Sequence, residues 1–355
     1  MLSRLPKREG FGGLRRIYLD RFCESQVCSV NPTYDIVARD LPYKATNRWY
    51  NPQLESLDDF KIDLDLAKNT YLFTHLRVLM AQWGNLTPTQ FADTATAIIQ
   101  VFGSNIQPVI FNQDQFKLFT EAEAKAAVDF ALSLFPNVAY WELINEPHNG
   151  SDLYNTAAEI DAYYTKIRNV ATYLKSKITV PMSIGFHHHR QEAFDRLNDL
   201  CDIYAFHWYP CIAQMFGTAY KEKDLLYRLP RIAPLWLRVC RNQDTWPIQQ
   251  TDNWVSDFIR MLDWLKTQAN GKPYIINEFG FAIDPFGSQT NPSKLEKCQA
   301  CYIKQILEAM RHYQDPNFQG YYVYAFRTSG FIQKSIWCQV VRYDRSPLPA
   351  AAFFP

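Results

Sequence analysis

Residues 254–280 read WVSDFIRMLDWLKTQANGKPYIINEFG, and this stretch decides the architecture. Trp254, Phe258, Met261, Leu262 and Leu265 recur at helical spacing and make one apolar face. Asn270-Gly271-Lys272-Pro273 then stops the helix and launches a strand. The apolar run 274–277 is short enough for a buried strand, and a carboxylate, Glu278, stands at its end. One helix, one turn and one strand follow in the order that builds a βα protein.

The same rhythm extends outward from about residue 43. Short apolar runs alternate with amphipathic patterns, and strands are predicted at 43–47, 72–79, 108–111, 138–144, 181–186, 203–207, 274–277 and 321–326. Helix starts are marked by three capping boxes, in which a hydroxyl and a side chain three residues later satisfy orphan N–H groups. They begin at Thr87, Thr120 and Ser293, with Gln90, Glu123 and Glu296 as the second members. Eight strands with intervening helices fit a closed (β/α)8 TIM barrel of the α/β class, and no Gly-x-Gly-x-x-Gly follows any strand to suggest a doubly wound sheet. Residues 1–40 precede the rhythm and read as an N-terminal extension packed on the barrel, which would occupy 41–355. A long insertion, 211–250, follows the sixth strand and far exceeds the roughly 2–6 residues of an ordinary βα loop. Its rings either wall one end of a cleft or form a small satellite core.

The 355 residues carry a net charge of +1, with no long like-charge run, which argues against a nucleic-acid partner. No run reaches the roughly 18 apolar residues of a membrane span. Charges interrupt the first residues too often for a secretory signal, so the sequence favours a cytoplasmic location. The eight cysteines are scattered rather than spaced as a disulfide framework, although Cys23 and Cys28 would pair in an oxidising compartment. Cys298 and Cys301 form a lone C-x-x-C inside a helical pattern, which carries little for zinc or redox chemistry. The sequence leaves the oligomeric state open.

In a barrel enzyme the chemistry sits where strands end at the C-terminal face. Two carboxylates stand there: Glu146 closes AYWELINE and Glu278 closes KPYIINE. The ends of a fourth and a seventh strand can face each other across the mouth. Retaining glycosidases need such a pair, one carboxyl to protonate the leaving oxygen and a second, about 5 Å away, to attack the anomeric carbon.

Asn145-Glu146-Pro147 together with Glu278-Phe279-Gly280 resembles the clan A glycoside hydrolases, most of all family five and its relatives, over about residues 43–355. The resemblance implies that Glu146 is the acid/base, that Glu278 is the nucleophile, and that Asn145 bonds the sugar 2-OH. Arg77 resembles the clan's second-strand arginine, which holds the nucleophile ionised. His207 and Tyr209 resemble the sixth-strand His-x-Tyr, and period-two alternation lets them share a face. Trp83, His187, His189 and Phe326 complete the candidate substrate-binding residues. The eighth strand departs from the family, offering Tyr324 and Phe326 where a tryptophan usually floors the sugar site.

These readings predict a retaining glycoside hydrolase that cleaves a β-glycosidic bond by double displacement, acting on a glycoside, oligosaccharide or polysaccharide without a cofactor. Two rivals are a catalytically silent sugar-binding barrel and a metal-dependent barrel hydrolase. The second draws on His187-His188-His189 with His148 and His207, but no matching ligand set appears on another strand, so no metal is expected.

Overall fold

Period-two alternation and the helix signals resolve into eight parallel strands, each followed by a crossover. The computed structural model describes residues 38–48, 50, 52, 55–80, 86–148, 154, 156–187, 191–208, 254–280, 292–327, 340–341 and 345–354. The strands are β1 Tyr43–Asn47, β2 His75–Leu79, β3 Ile106–Asn112, β4 Trp141–Asn145, β5 Met182–His187, β6 Tyr204–Trp208, β7 Tyr274–Phe279 and β8 Phe318–Val323. They pair in sequence order, and β8 returns to β1 to close the barrel. Around it lie α1 Leu57–Asp65, α2 Pro88–Phe102, α3 Gln113–Leu118, α4 Glu121–Leu134, α5 Ala157–Lys175, α6 Gln191–Leu197, α7 Trp254–Ala269 and α8 Pro292–His312. The (β/α)8 expectation therefore holds. Residues 1–37 of the 1–40 extension and the insertion 211–250 lie outside the described residues.

Local signals explain most boundaries. Thr87 and Thr120 form the expected capping boxes, and Thr156 with Glu159 forms another at the head of α5. α8 starts at Pro292, so Ser293 is inside the helix rather than at its cap. α7 ends at Ala269, where Asn270 and Gly271 turn with positive φ angles of 46° and 88°. Phe258, Met261, Leu262 and Leu265 are fully buried, as the helical spacing requires. β2 begins later than predicted because Leu72 adopts φ 51°, a left-handed conformation that cannot belong to a strand. β8 runs earlier than predicted, over Phe318–Val323 rather than 321–326.

Two layers of apolar packing result. Outward-facing strand residues such as Leu76, Val78, Leu143 and Ile184 join the helices in the main core. Ala45 of β1, Ala205 of β6, Ile275 of β7 and Tyr322 of β8, with Tyr140 and Ile203 just before β4 and β6, form a separate cluster inside the barrel. Among the described residues no helix is long and apolar enough to cross a membrane. Cys301 is disulfide-bonded, and Cys201 is free and buried.

The seam between β8 and β1 is held in two ways. Asp63 of α1 accepts from Arg48 at the end of β1 (Nη2–Oδ2, 2.6 Å), from Arg327 beyond β8 (Nε–Oδ2, 2.6 Å) and from Arg345 (Nε–Oδ1, 2.9 Å). Gly320 pairs with Tyr43 across the seam at φ 132°, and a Cβ there would collide with the Tyr43 carbonyl oxygen. Because backbone rather than a flexible side chain blocks that space, Gly320→Ala should cost about 3 kcal/mol or more of folding stability. Chemical denaturation reads this directly, and an unchanged midpoint would contradict the seam geometry.

Candidate active site

A buried charge inside a strand needs a partner, and the barrel's upper layer supplies a network of them. Arg77 on β2 is at its centre. Its Nε and Nη2 form a fork with Glu142 of β4, at 2.8 Å to Oε2 and 2.6 Å to Oε1. Nη2 also donates to Asn145 Oδ1 at 2.7 Å and Nη1 to Asn47 Oδ1 at 2.8 Å, while Nη1 pairs with Glu278 Oε1. Arg77 and Glu142 are inaccessible to solvent, and Glu278 nearly so. Burial opposes the charge on Arg77, yet the two carboxylates outweigh it and raise its pKa above the ordinary arginine value.

Two register shifts bring these groups together. Along β4, Glu142 pairs with Ser183 and Asn145 with Gly185, so an extra residue of β4 is accommodated between them. Strict alternation would put Glu142 and Asn145 on opposite faces, whereas the shift lets both reach Arg77. Along β7, Ile276 pairs with Phe206 and Glu278 with His207, which brings both Asn277 and Glu278 into the polar layer. Asn277 Nδ2 donates to Glu142 Oε2 at 2.8 Å, and Gln107 Nε2 donates to the same oxygen at 2.5 Å. Glycine at position 185 is also required, because a Cβ there would overlap Glu142 Oε1 and lie 3.1 Å from His207 Nε2.

Glu146 follows β4 with φ 46°, an uncommon conformation for a non-glycine residue and doubly so before Pro147. Its backbone N–H bonds to the Gly185 carbonyl at 2.9 Å. Such strain, of about 1–3 kcal/mol, is found where a site fixes a side chain. The Glu146 carboxylate meets His207 Nδ1 at 2.7 Å, and His207 Nδ1 lies 3.6 Å from Glu278 Oε2. Burial alone would raise the pKa of Glu146, but the His207 hydrogen bond and the charges of His207, His187 and His148 hold it well below the usual carboxylate range. His207 moves the other way: burial lowers its pKa, while Glu278 and the bond to Glu146 raise it above the ordinary value, with Arg77 opposing. The His187 ring centroid lies 5.6 Å from that of His148 and 6.5 Å from that of His207.

Among the residues the sequence singles out, Arg77, Asn145, Glu146, His187, His207 and Glu278 converge on this mouth. Tyr209, His189 and Trp83 lie outside the described residues. Phe326 needs correction: it is fully buried and packs edge-on against Tyr71 and Phe73, so it is a core ring with no face for a sugar. The early end of β8 leaves Tyr324, which is partly exposed, as the ring at that position. Glu142 escaped the sequence reading, although a lone acid inside the apolar run VAYWELI was its signal.

One donor atom each from Glu146, His207 and Glu278 lies within 4.8 Å of the other two, a spacing that a divalent ion could bridge. Each of these groups already has a partner, Glu278 in Arg77 and Glu146 in His207.

The closed (β/α)8 barrel carries two glutamates at its C-terminal mouth, and comparison with solved structures finds the same barrel fold. The β-glucuronidase of Ruminococcus gnavus superposes with a TM-score of 0.56 at 15% identity, covering 89% of this chain and 50% of that one. The β-glucuronidase of Bacteroides uniformis gives 0.56 at 13% identity, covering 86% and 34%. The chain thus spans about half the length, or less, of these enzymes, and at such identities the likeness establishes the fold. It gives no support to the narrower resemblance to family five. No family model and no curated protein sequence matches the chain.

The network predicts the outcome of removing its cation. Arg77→Met would leave Glu142 and Glu278 buried without their guanidinium, a loss of about 3–5 kcal/mol near neutral pH. Urea titration measures this, and a midpoint unchanged from wild type would count against Arg77 as their partner.

Proposed function

We propose that this chain is a retaining β-glycoside hydrolase. The spacing of its two glutamates carries the reading. Oxygens of Glu146 and Glu278 lie within 4.8 Å of each other. Retaining enzymes place their carboxyl groups about 5–5.5 Å apart, whereas inverting enzymes need about 6.5–9.5 Å to admit a water.

In this reading Glu278 is the nucleophile, held in place by Arg77, and attacks the anomeric carbon as the glycosidic bond breaks. Glu146 gives a proton to the departing oxygen, then takes one from the water that releases the sugar from Glu278. Atoms and charges balance with these two groups alone, so the reaction calls for no cofactor. Asn145 turns its Oδ1 to Arg77, which leaves its NH2 to donate to the sugar 2-OH. Tyr324 takes the place of the ring that floors the sugar. β-Glucuronides head the panel of substrates to try, because both solved structures compared above are β-glucuronidases.

Glu278→Gln should abolish turnover on the best aryl β-glycoside while leaving thermal stability near that of wild type. Azide should rescue Glu278→Gly and yield a glycosyl azide of inverted configuration, as proton NMR of the product would show. Chelator should leave wild-type activity unchanged. A Glu278→Gln enzyme that turns over at the wild-type rate would refute the assignment.

A further inference from the structure

A general acid must hold a proton near neutral pH, yet Glu146 is flanked by three histidines that favour its ionised form. The surroundings of His207 resolve the conflict. Its ring is inaccessible to solvent, and one nitrogen, Nδ1, faces both catalytic carboxylates, at 2.7 Å from Glu146 Oε1 and 3.6 Å from Glu278 Oε2. On its other side, Nε2 faces the cleared space over Gly185 of β5, beside Glu142 of β4. The titratable and charged groups around it are therefore Glu142 on β4 and Glu146 just after it, Glu278 on β7, Arg77 on β2, His187 on β5 and His148 just beyond Glu146. Two titratable groups in direct hydrogen-bond contact, each shifting the other's pKa in the opposite direction, titrate as a pair, and the proton they lose belongs to neither alone.

We propose that Glu146 and His207 act as a single acid, storing across the Nδ1–Oε1 hydrogen bond the proton that leaves with the aglycone. The proposal rests on the glycosidase reading and assigns His207 a positioning role, acting through Glu146. In the resting enzyme the pair holds one proton. That proton passes through Glu146 to the glycosidic oxygen, leaving a carboxylate beside a neutral imidazole. In the second half-reaction the pair regains a proton from the attacking water, whose oxygen bonds to the sugar. The arrangement lets a carboxyl group in an ionising environment still serve as an acid in the neutral range. Glu278, poised on the same imidazole, favours its charged form only until attack consumes the carboxylate charge, so forming the glycosyl-enzyme itself releases His207's hold on the proton.

The test uses the whole chain labelled with nitrogen-15 histidine. His207 should remain doubly protonated above 6.5, the ordinary histidine value, and Glu146→Gln should move its titration to lower pH by about one unit or more. In kinetics, His207→Asn should move the basic limb of kcat/KM to lower pH by a similar amount. Its kcat loss should be large for poor leaving groups and small for activated aryl glycosides, a contrast that a merely structural role would not produce. An imidazole that is neutral at its ordinary value, or one whose titration ignores Glu146→Gln, overturns the pair even in an active enzyme. Coupled titration in a chain that hydrolyses no glycoside would refute the glycosidase reading, and with it the use of the stored proton in catalysis.

Discussion

Arg77 and the two carboxylates it holds are the constraint on which the site depends. Its guanidinium donates to Glu142, Glu278, Asn145 and Asn47, joining β1, β2, β4 and β7 in the layer beneath the mouth. A planar five-donor group suits this task where an ammonium would not, because the fork to Glu142 fixes the plane in which the remaining donors point. Two buried carboxylates around one cation leave an excess of negative charge, which His207 and its neighbours help to offset. Apolar replacement of such a network could leave stability unharmed, so its presence in the core speaks for a function.

The barrel accommodates this layer by departing from regular strand geometry at chosen points. Register shifts on β4 and β7 bring Asn145 and Glu278 to the same side as Glu142 and Asn277. Gly185 clears the space that Glu142 and His207 occupy, and Glu146 takes a left-handed backbone where the strand gives way to the loop. Each departure has a local cost that the surrounding apolar core offsets. Below the polar layer, Ala45, Ile203, Ala205 and Ile275 fill the barrel conventionally.

Sequence reasoning reached the eight strands because hydrophobic period and helix caps are local properties. It reached Glu146 and Glu278 because both end apolar runs at positions a barrel exposes. Glu142 was harder: alternation alone does not reveal a register shift, and an acid three residues before Asn145 looks as though it belongs on the other face. Phe326 was misplaced for a related reason, since assigning the eighth strand three residues late moves the wrong ring to the mouth. The pairing of His207 with Glu146 depends on how β4 and β6 stand relative to each other, a tertiary fact that no local pattern encodes.

The proposed covalent bond between Glu278 and the sugar is tested most directly by trapping it. A 2-deoxy-2-fluoro β-glycoside of the preferred sugar, with an activated leaving group, slows both steps but hydrolysis of the glycosyl-enzyme more, so the adduct accumulates. Peptide mass spectrometry should then find the fluorosugar on Glu278 in stoichiometric amount, with loss of activity that tracks labelling. A label on any other residue, or steady turnover of a good substrate with no adduct, would contradict the account.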